Sequence, residues 1–168
     1  MLTDNIILIG FMGSGKSTVG FQLAKQLKYR FIDTDKEIEQ EIGCSIPHIF
    51  TYGESYFRAV ESEVVRGICL VKRAVIATGG GVVKDAGNIA ALRQAGLVFY
   101  LKWPVEDLYD HVKDSSNRPL INVPNPLDEM KILLSEREPL YLSAAHMVIE
   151  CSGKLIGTIA DEIEERVM

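Results

Sequence analysis

The chain has 168 residues, a length typical of one compact domain that buries a full hydrophobic core. Apolar residues make up 47% of it and charged residues 24%, which excludes a disordered or fibrous chain. There are 18 basic and 23 acidic side chains, so the formal charge is −5. This charge argues against a protein that coats nucleic acid, because neutralising phosphates requires a basic surface. A small anionic ligand is compatible with it, because a few local cations suffice to hold one.

The cysteines, the histidines and the apolar runs further restrict the class of protein to which the chain can belong. Cys44, Cys69 and Cys151 are widely spaced and form no CxxC pair, which favours free thiols in a reducing compartment over disulfides or a zinc site. The 3 histidines show no metal-ligand spacing. The longest apolar run near the start, Ile6–Ile9, is far shorter than the ~20 residues that cross a membrane. We therefore expect a cytoplasmic protein with neither membrane nor nucleic acid as a partner. A monomer is the expected state, although no pattern in the sequence determines it.

Short apolar runs alternate with helical patterns along the chain. The runs of strand length are rich in Ile, Val, Phe and Tyr, and they are Asn5–Phe11, Tyr29–Ile32, Ala74–Ala77, Leu97–Leu101 and His146–Glu150. Near-continuous apolarity is typical of strands that are covered on both faces. The alternation predicts an α/β fold, with a five-stranded parallel sheet flanked by helices in a single domain over residues 1–168. Ligands of such sheets bind at the carboxyl ends of the strands.

One segment interrupts this alternation. Asp114–Pro126 (DSSNRPLINVPNP) is rich in proline, asparagine and serine. Loops of about a dozen residues in compact domains are commonly functional lids or disordered segments. We expect a mobile lid over about residues 113–125, after which Asn125 and Pro126 would start a new helix as N-cap and first-turn proline.

The first strand leads into a phosphate-binding motif. Gly10–Ser17 (GFMGSGKS) matches G-x-x-x-x-G-K-[ST] in full, with a strand before it and an amphipathic helix after it. Glycines let consecutive N–H groups point at phosphate oxygens, the lysine neutralises the charge of the β- and γ-phosphates, and the serine hydroxyl can ligate Mg²⁺. An accidental glycine-rich turn is the competing explanation, and it would not require this context. The predicted phosphate-binding residues are Gly13, Ser14, Gly15, Lys16, Ser17 and Thr18.

Two carboxylates follow the second strand, in Phe31–Asp35 (FIDTD). If the strand continued, Asp33 and Asp35 would point the same way, towards the phosphate end. One could then serve a Mg²⁺ ion and the other an incoming hydroxyl. The structural alternative is that Asp35 caps the helix that follows, which would end at Gly43.

Two further segments carry candidate ligand-binding groups. The third run ends in Thr78–Gly81 (TGGG), where successive glycines expose N–H groups that could hold a carboxylate or a hydroxyl, although a flexible turn is also possible. Glu54, Arg58 and Glu61 share one helical face by their spacing. Such a triplet is usually a solvated ion-pair face, but two acids around one arginine would also orient it for bidentate binding of a carboxylate.

Together these motifs resemble the shikimate kinases, a family of P-loop kinases allied to the nucleoside monophosphate kinases. The resemblance covers nearly the whole chain, and no single motif after the first carries it alone. It depends on the order and spacing of GFMGSGKS, FIDTD, an IF followed by G-E-x-x-F-R-x-x-E, ATGGG, RPL in the loop, and R-x-x-x-Y at Arg137 to Tyr141. It implies a three-layer P-loop kinase fold with a mobile lid.

The resemblance also implies an activity and a set of roles. The activity is transfer of the γ-phosphoryl group of ATP to the 3-hydroxyl of shikimate, with Mg²⁺, in aromatic amino-acid synthesis. The substrate-binding segment would span about residues 33–61. Catalytic roles fall on Lys16, on Asp35 as the group that accepts or orients the hydroxyl, and on Arg118 in the lid. Ser17 would ligate the Mg²⁺ ion, and Asp33 would be the carboxylate on the metal side, reaching the ion through water. Shikimate would be bound by Asp35, Arg58, Arg137 and the backbone of Gly79, Gly80 and Gly81, with Glu61 supporting Arg58.

The chain departs from the family pattern at the predicted adenine site. Family members often carry an arginine that stacks on adenine about seven residues before the lid arginine, and here His111 stands at that position. The segment Glu150–Lys154 should border the adenine, and Pro139 should kink the helix that carries Arg137. Two alternative functions stay open: a gluconate or nucleoside monophosphate kinase, and an ATP-binding module without turnover.

Overall fold

The computed structural model describes residues 4–115 and 121–168, so the central part of the predicted lid, including Arg118, lies outside the described residues. The elements, numbered in chain order, are β1 (Asn5–Ile9), α1 (Lys16–Leu27), β2 (Arg30–Asp33), α2 (Thr34–Ile42), α3 (Ile46–Phe50), α4 (Glu54–Ile68), β3 (Ala74–Ala77), a 3₁₀ turn (Val82–Lys84), α5 (Ala86–Ala95), β4 (Leu97–Lys102), α6 (Val105–Val112), α7 (Pro126–Ala144), β5 (Met147–Glu150) and α8 (Ile156–Val167).

The strands form the predicted five-stranded parallel sheet, in the order β2-β3-β1-β4-β5. All five predicted runs are confirmed as strands; β3 has the predicted bounds, and the ends of the others lie within two residues of the prediction. The largest difference is at β1, which ends at Ile9 rather than Phe11 because the glycine-rich turn already begins at Gly10. The chain crosses from β1 to β2 at the sheet edge and returns through β3, so three loops meet beside β1.

Helices cover both faces of the sheet, which gives the three layers expected. One face packs α4, α5, α6 and α7 against residues such as Ile7, Ile9 and Ile76. The other face packs α1 and α8 against Ile6 and Leu8. Neighbouring residues of β1 therefore face opposite cores, and all of β1 is buried. A smaller cluster joins α2, α3 and α4 beyond the edge strand.

The strand register brings the functional motifs to one edge of the sheet. Ala77 of β3 pairs with Leu8 of β1 on one side and with Asp33 of β2 on the other. At these positions the strands lead into the glycine-rich turn, the carboxylates of FIDTD and the TGGG turn. Parallel strands end at a common edge, so three segments that are distant in sequence become neighbours.

Two local expectations are corrected or refined. Asp33, not Asp35, caps α2, accepting hydrogen bonds at Oδ1 from the backbone N–H groups of Asp35 (3.0 Å) and Lys36 (3.3 Å). The strand thus stops at Asp33, and Asp35 lies in the first turn of the helix. α7 continues through Pro139 to Ala144, so the proline does not end the helix. In the described parts of the chain, no helix is both long and apolar enough to cross a bilayer.

Candidate active site

The loop between β1 and α1 forms a compact anion-binding turn. Gly13 and Gly15 have φ values of 78° and 81°, a backbone region that L-residues rarely adopt, which accounts for glycine at both positions. The Lys16 ammonium donates to the carbonyl oxygens of Gly10 (2.7 Å) and Phe11 (3.0 Å), and α1 begins at Lys16 with its positive end towards the turn. The turn lines a cavity of about 550 Å³, termed the P-loop cavity.

Two side chains from the neighbouring β4–α6 region hold the outer carbonyls of this turn. The indole N–H of Trp103 donates to the Ser14 carbonyl oxygen (3.0 Å), and His111 Nδ1 lies 2.7 Å from the Gly13 carbonyl oxygen. The two rings meet edge to face at 4.8 Å. The two side chains therefore hold the turn against the β4–α6 region. Both rings line the P-loop cavity, as does Lys154, the end of the segment expected to border the adenine.

Ser17 and Asp33 form an oxygen pair at the mouth of the P-loop cavity. The Ser17 hydroxyl donates to Asp33 Oδ2 over 2.6 Å, while Oδ1 of the same carboxylate caps α2. The cap fixes the orientation of the carboxylate, so the position of Asp33 depends on the start of α2 as well as on the end of β2. Hydroxyl and carboxylate oxygens are suitable ligands for Mg²⁺.

Asp35 lies where the P-loop cavity meets a second cavity. Its side chain lines both, together with Met12, Gly79 and Gly80. Burial raises the pKa of Asp35 above the usual value for an aspartate, and the nearby negative charge of Asp33 adds to this, while Lys16 opposes it. A carboxylate with a raised pKa, placed between two cavities, is a candidate proton acceptor for a group that reacts there.

The TGGG turn is held in place at its first half. The Thr78 hydroxyl donates to the Leu8 carbonyl oxygen (2.9 Å), and the Gly79 N–H donates to Thr34 Oγ1 (3.0 Å). Gly79 therefore contributes through its lack of a side chain: a Cβ there would stand 2.9 Å from Asp35 Oδ1. The N–H groups of Gly80 and Gly81 are the candidates from this turn for binding a ligand. These tethers argue against a merely flexible connection.

Arg58 is fixed between two acids and against the TGGG turn. Its Nη1 donates to Glu61 Oε1 (2.8 Å) and its Nε to Glu54 Oε1 (3.4 Å). The Glu61 side chain is only 1% exposed whereas that of Glu54 is 53% exposed, so the triplet is not simply a solvated face. Burial raises the pKa of Glu61, and the charge of Arg58 opposes the rise. A Cβ on Gly81 would stand 2.7 Å from the Arg58 Cζ, so only glycine leaves room for the guanidinium.

Arg137 reaches the same place from α7. Its guanidinium lies over the Phe11 ring (5.8 Å to the centroid), and its Nη1 is 3.6 Å from where a Gly80 Cβ would stand. The Arg137 Nε atom is buried and has no hydrogen-bond partner within the described residues. Arg58 and Arg137 both line the second cavity, termed the arginine cavity, which has a volume of about 850 Å³.

The structure thus brings together the candidate residues that lie within its described ranges. The P-loop residues, including Thr18, line one cavity with Asp33; Arg58, Glu61, Gly81 and Arg137 line the other; Asp35, Gly79 and Gly80 line both. Arg118 lies outside the described residues. Sequence reasoning missed the apolar wall of the arginine cavity, formed by Ile46, Pro47, Phe50 and Phe57. It also missed Trp103, although this residue directly follows the fourth strand, at the edge of the sheet where ligands are expected.

Comparison with known proteins agrees with this arrangement. A family model described as shikimate kinase matches residues 12–168. A shikimate kinase of Nitrosococcus oceani is 43% identical over 164 residues, which cover 97% of this chain and 86% of that protein. One from Thermodesulfovibrio yellowstonii is 42% identical over 160 residues, which cover 95% and 92%.

Solved structures extend the likeness to three dimensions. A shikimate kinase from Acinetobacter baumannii in complex with shikimate has a TM-score of 0.94 and 41% identity, covering 98% of this chain and 92% of that one. The enzyme from Aquifex aeolicus has a TM-score of 0.84 and 38% identity, covering 96% and 94%. Since the match in sequence and in backbone runs through the glycine-rich turn, the arginine cavity and the sheet that carries them, this chain belongs to the shikimate kinase family.

Proposed function

We propose that this protein transfers the γ-phosphoryl group of ATP to the 3-hydroxyl of shikimate, releasing ADP and shikimate 3-phosphate. The observation that carries the proposal is the position of Asp35 between a cavity built for phosphates and a cavity that presents two guanidinium groups. A nucleotide and a small carboxylic acid with hydroxyl groups would meet at that residue. The Acinetobacter baumannii structure contains shikimate, which supports this choice of acceptor.

The arginine cavity has the chemistry that a ring acid requires. Arg58, Arg137 and the turn Gly79–Gly81 are together termed the carboxylate grip. Its two guanidinium groups and the N–H groups of Gly80 and Gly81 hold the substrate carboxylate by charge-assisted hydrogen bonds. Glu61 keeps the fork of Arg58 in place through its 2.8 Å bond. The apolar wall, including Phe57, packs against the ring. The orientation of shikimate is therefore set by its carboxylate, away from the hydroxyl that reacts.

Asp35 orients the 3-hydroxyl of shikimate and accepts its proton. The hydroxyl oxygen forms a bond to the γ-phosphorus while the bond from phosphorus to the β–γ bridging oxygen breaks, and ADP leaves with that electron pair. A raised pKa suits a group that takes up a proton at this step. Lys16 and the N–H groups of the P-loop stabilise the charge on the phosphates.

Two groups outside these contacts belong to the same proposal. Mg²⁺ would neutralise phosphate charge when bound; the Ser17 hydroxyl would hold it directly and Asp33 through water. The oxygen pair fits this ion, which prefers one or two protein oxygens completed by water and substrate phosphates.

Arg118 would reach the transferring phosphoryl group from a lid over about residues 113–125, and residues 33–61 would form the substrate-binding segment. The monomeric state and the cytoplasmic location stay predictions.

A coupled assay for ADP release tests the function directly. With ATP and Mg²⁺ present, shikimate should start turnover, and mass spectrometry should detect shikimate 3-phosphate. Gluconate and nucleoside monophosphates should give less ADP release than shikimate. Gluconate has a carboxylate but no ring to pack against the apolar wall, and a nucleoside monophosphate presents a phosphate in place of the ring carboxylate. ADP release with one of these acceptors and not with shikimate would favour the alternative kinases. ATP binding without turnover on any acceptor would favour a non-catalytic module.

A further inference from the structure

The Tyr141 hydroxyl joins two parts of the carboxylate grip. It lies 2.5 Å from the Gly80 carbonyl oxygen, to which it donates its proton. Arg137 precedes Tyr141 by one helical turn on α7. Burial raises the pKa of Tyr141 to about 12, although the charge and hydrogen bonding of the Arg137 guanidinium oppose the rise. The same hydroxyl is therefore beside an arginine of the grip and bonded to the turn of the grip.

The polarity of these contacts permits a single arrangement. A guanidinium group has donors only, and a carbonyl oxygen accepts only, so the two cannot be joined by a group that lacks one of these functions. A phenolic hydroxyl has both. It donates its proton to the Gly80 carbonyl oxygen, which leaves its lone pairs available to Arg137 one helical turn away. Phenylalanine at this position would remove both the donor to Gly80 and the acceptor near Arg137.

The stacked neighbour of Tyr141 shows that ring packing alone does not call for this hydroxyl. Tyr100 and Tyr141 stack at 5.0 Å, with 23° between their planes, and both are almost fully buried. Yet the Tyr100 hydroxyl points to Glu138 (3.3 Å), away from Gly80. Two tyrosines of the same core thus differ in whether the hydroxyl contacts the grip, which provides a matched comparison.

We propose that Tyr141 is a positioning residue of the carboxylate grip, holding Arg137 and Gly80 in mutual register before shikimate binds; this rests on the proposed function. A long arginine side chain loses rotamer freedom when it binds a ligand, and an acceptor fixed beside it reduces that loss. Tyr141 itself need not touch the substrate. Its contribution should appear in the binding of the acid rather than in that of ATP.

The test compares Tyr141→Phe with Tyr100→Phe in steady-state kinetics with both substrates varied. Tyr141→Phe should raise the KM for shikimate about 5- to 30-fold, less than the loss of a direct charge-assisted hydrogen bond because Tyr141 acts through Arg137, and leave the KM for ATP within about 2-fold. Tyr100→Phe should leave both KM values within about 2-fold, since its hydroxyl is outside the grip. Because Tyr141 acts through Arg137, adding Tyr141→Phe to Arg137→Ala should raise the KM for shikimate by less than it does alone.

Each outcome bears on the proposal. Equal shikimate KM values in the two phenylalanine variants would overturn it, and so would equal rises in the KM values for both substrates. ATP binding, followed by the fluorescence of Trp103, reports the folded fraction; a Tyr141→Phe protein that cannot bind ATP where Tyr100→Phe can would show that the hydroxyl serves the fold instead. If the unaltered protein lacks shikimate-dependent turnover, the proposed function itself fails, which is a distinct result.

Discussion

Replacing Gly81 by alanine should displace Arg58 without disturbing the fold. The φ angle of Gly81 is −101°, which any residue adopts, so the substitution introduces no backbone strain. The added Cβ would stand 2.6 Å from Arg58 Nη1 and closer still to Nη2, whereas ordinary contacts begin at 3.4 Å, so the guanidinium must retreat by about 1 Å. The end of an arginine side chain moves easily, and we therefore expect little change in the free energy of unfolding.

Displacement of the Arg58 guanidinium should weaken the binding of shikimate. Arg58 Nη1 is held 2.8 Å from Glu61 Oε1, and a shift of this size away from Gly81 breaks or lengthens that bond. It also misplaces the fork that meets the substrate carboxylate. A charge-assisted hydrogen bond contributes about 1.5–3 kcal/mol, so loss of one corresponds to a rise of about 10- to 150-fold in the KM for shikimate. The KM for ATP should change by less than about 2-fold, since Arg58 does not line the P-loop cavity.

The assay is the same coupled measurement, with thermal unfolding recorded on each protein. Gly67→Ala is the control: Gly67 is on the same helix as Arg58, and nothing lies within 4 Å of where its Cβ would stand. That variant should keep its kinetics and be at least as stable as the unaltered protein, since alanine is favoured over glycine in a helix and Gly67 lies in the last turn of α4. A Gly81→Ala protein with unchanged KM for shikimate would refute the placement of Arg58 in the grip.

Further predictions concern Asp35, Trp103 and the two arginines. Asp35→Asn should lower kcat by about 10²- to 10⁴-fold, the range for a proton-accepting or orienting group, with ATP affinity kept; near-normal turnover would contradict this role. The raised pKa of Asp35 means that its proton is held more tightly in the folded protein, which favours folding below the unfolded pKa and is lost as pH rises through the folded one. Asp35→Asn should therefore raise the melting temperature at neutral pH and give no gain in acid; an equal gain at both would exclude a charge effect. Trp103 is the sole tryptophan of the chain and lines the P-loop cavity, so ATP should change its fluorescence more than shikimate does, and the reverse order would place the nucleotide elsewhere. Arg58→Ala and Arg137→Ala should each raise the KM for shikimate well above that for ATP, and unchanged values would remove that arginine from the grip.

Much of the fold could be predicted because its signals are local. Five apolar runs separated by helical periods suffice for a parallel α/β sheet, since strands covered on both faces must be apolar throughout. The P-loop was equally visible, because its turn is built by consecutive residues. The helix boundary at Asp33 was less so: Asp33 and Asp35 are both good caps, and only the point at which the strand stops decides between them.

The features of the candidate site also differ in whether they depend on local sequence or on tertiary contacts. The sequence by itself determined the phosphate-binding turn, the carboxylates after the second strand, and the face shared by Glu54, Arg58 and Glu61, because each depends on spacing within one element. Only the tertiary structure decided that Arg137 on α7 lies beside Gly80, that Gly81 must be small to admit Arg58, and that the Tyr141 hydroxyl contacts the turn while its neighbour Tyr100 does not. Such contacts join residues that are tens of positions apart, and they follow from strand order and helix packing, which no local pattern contains.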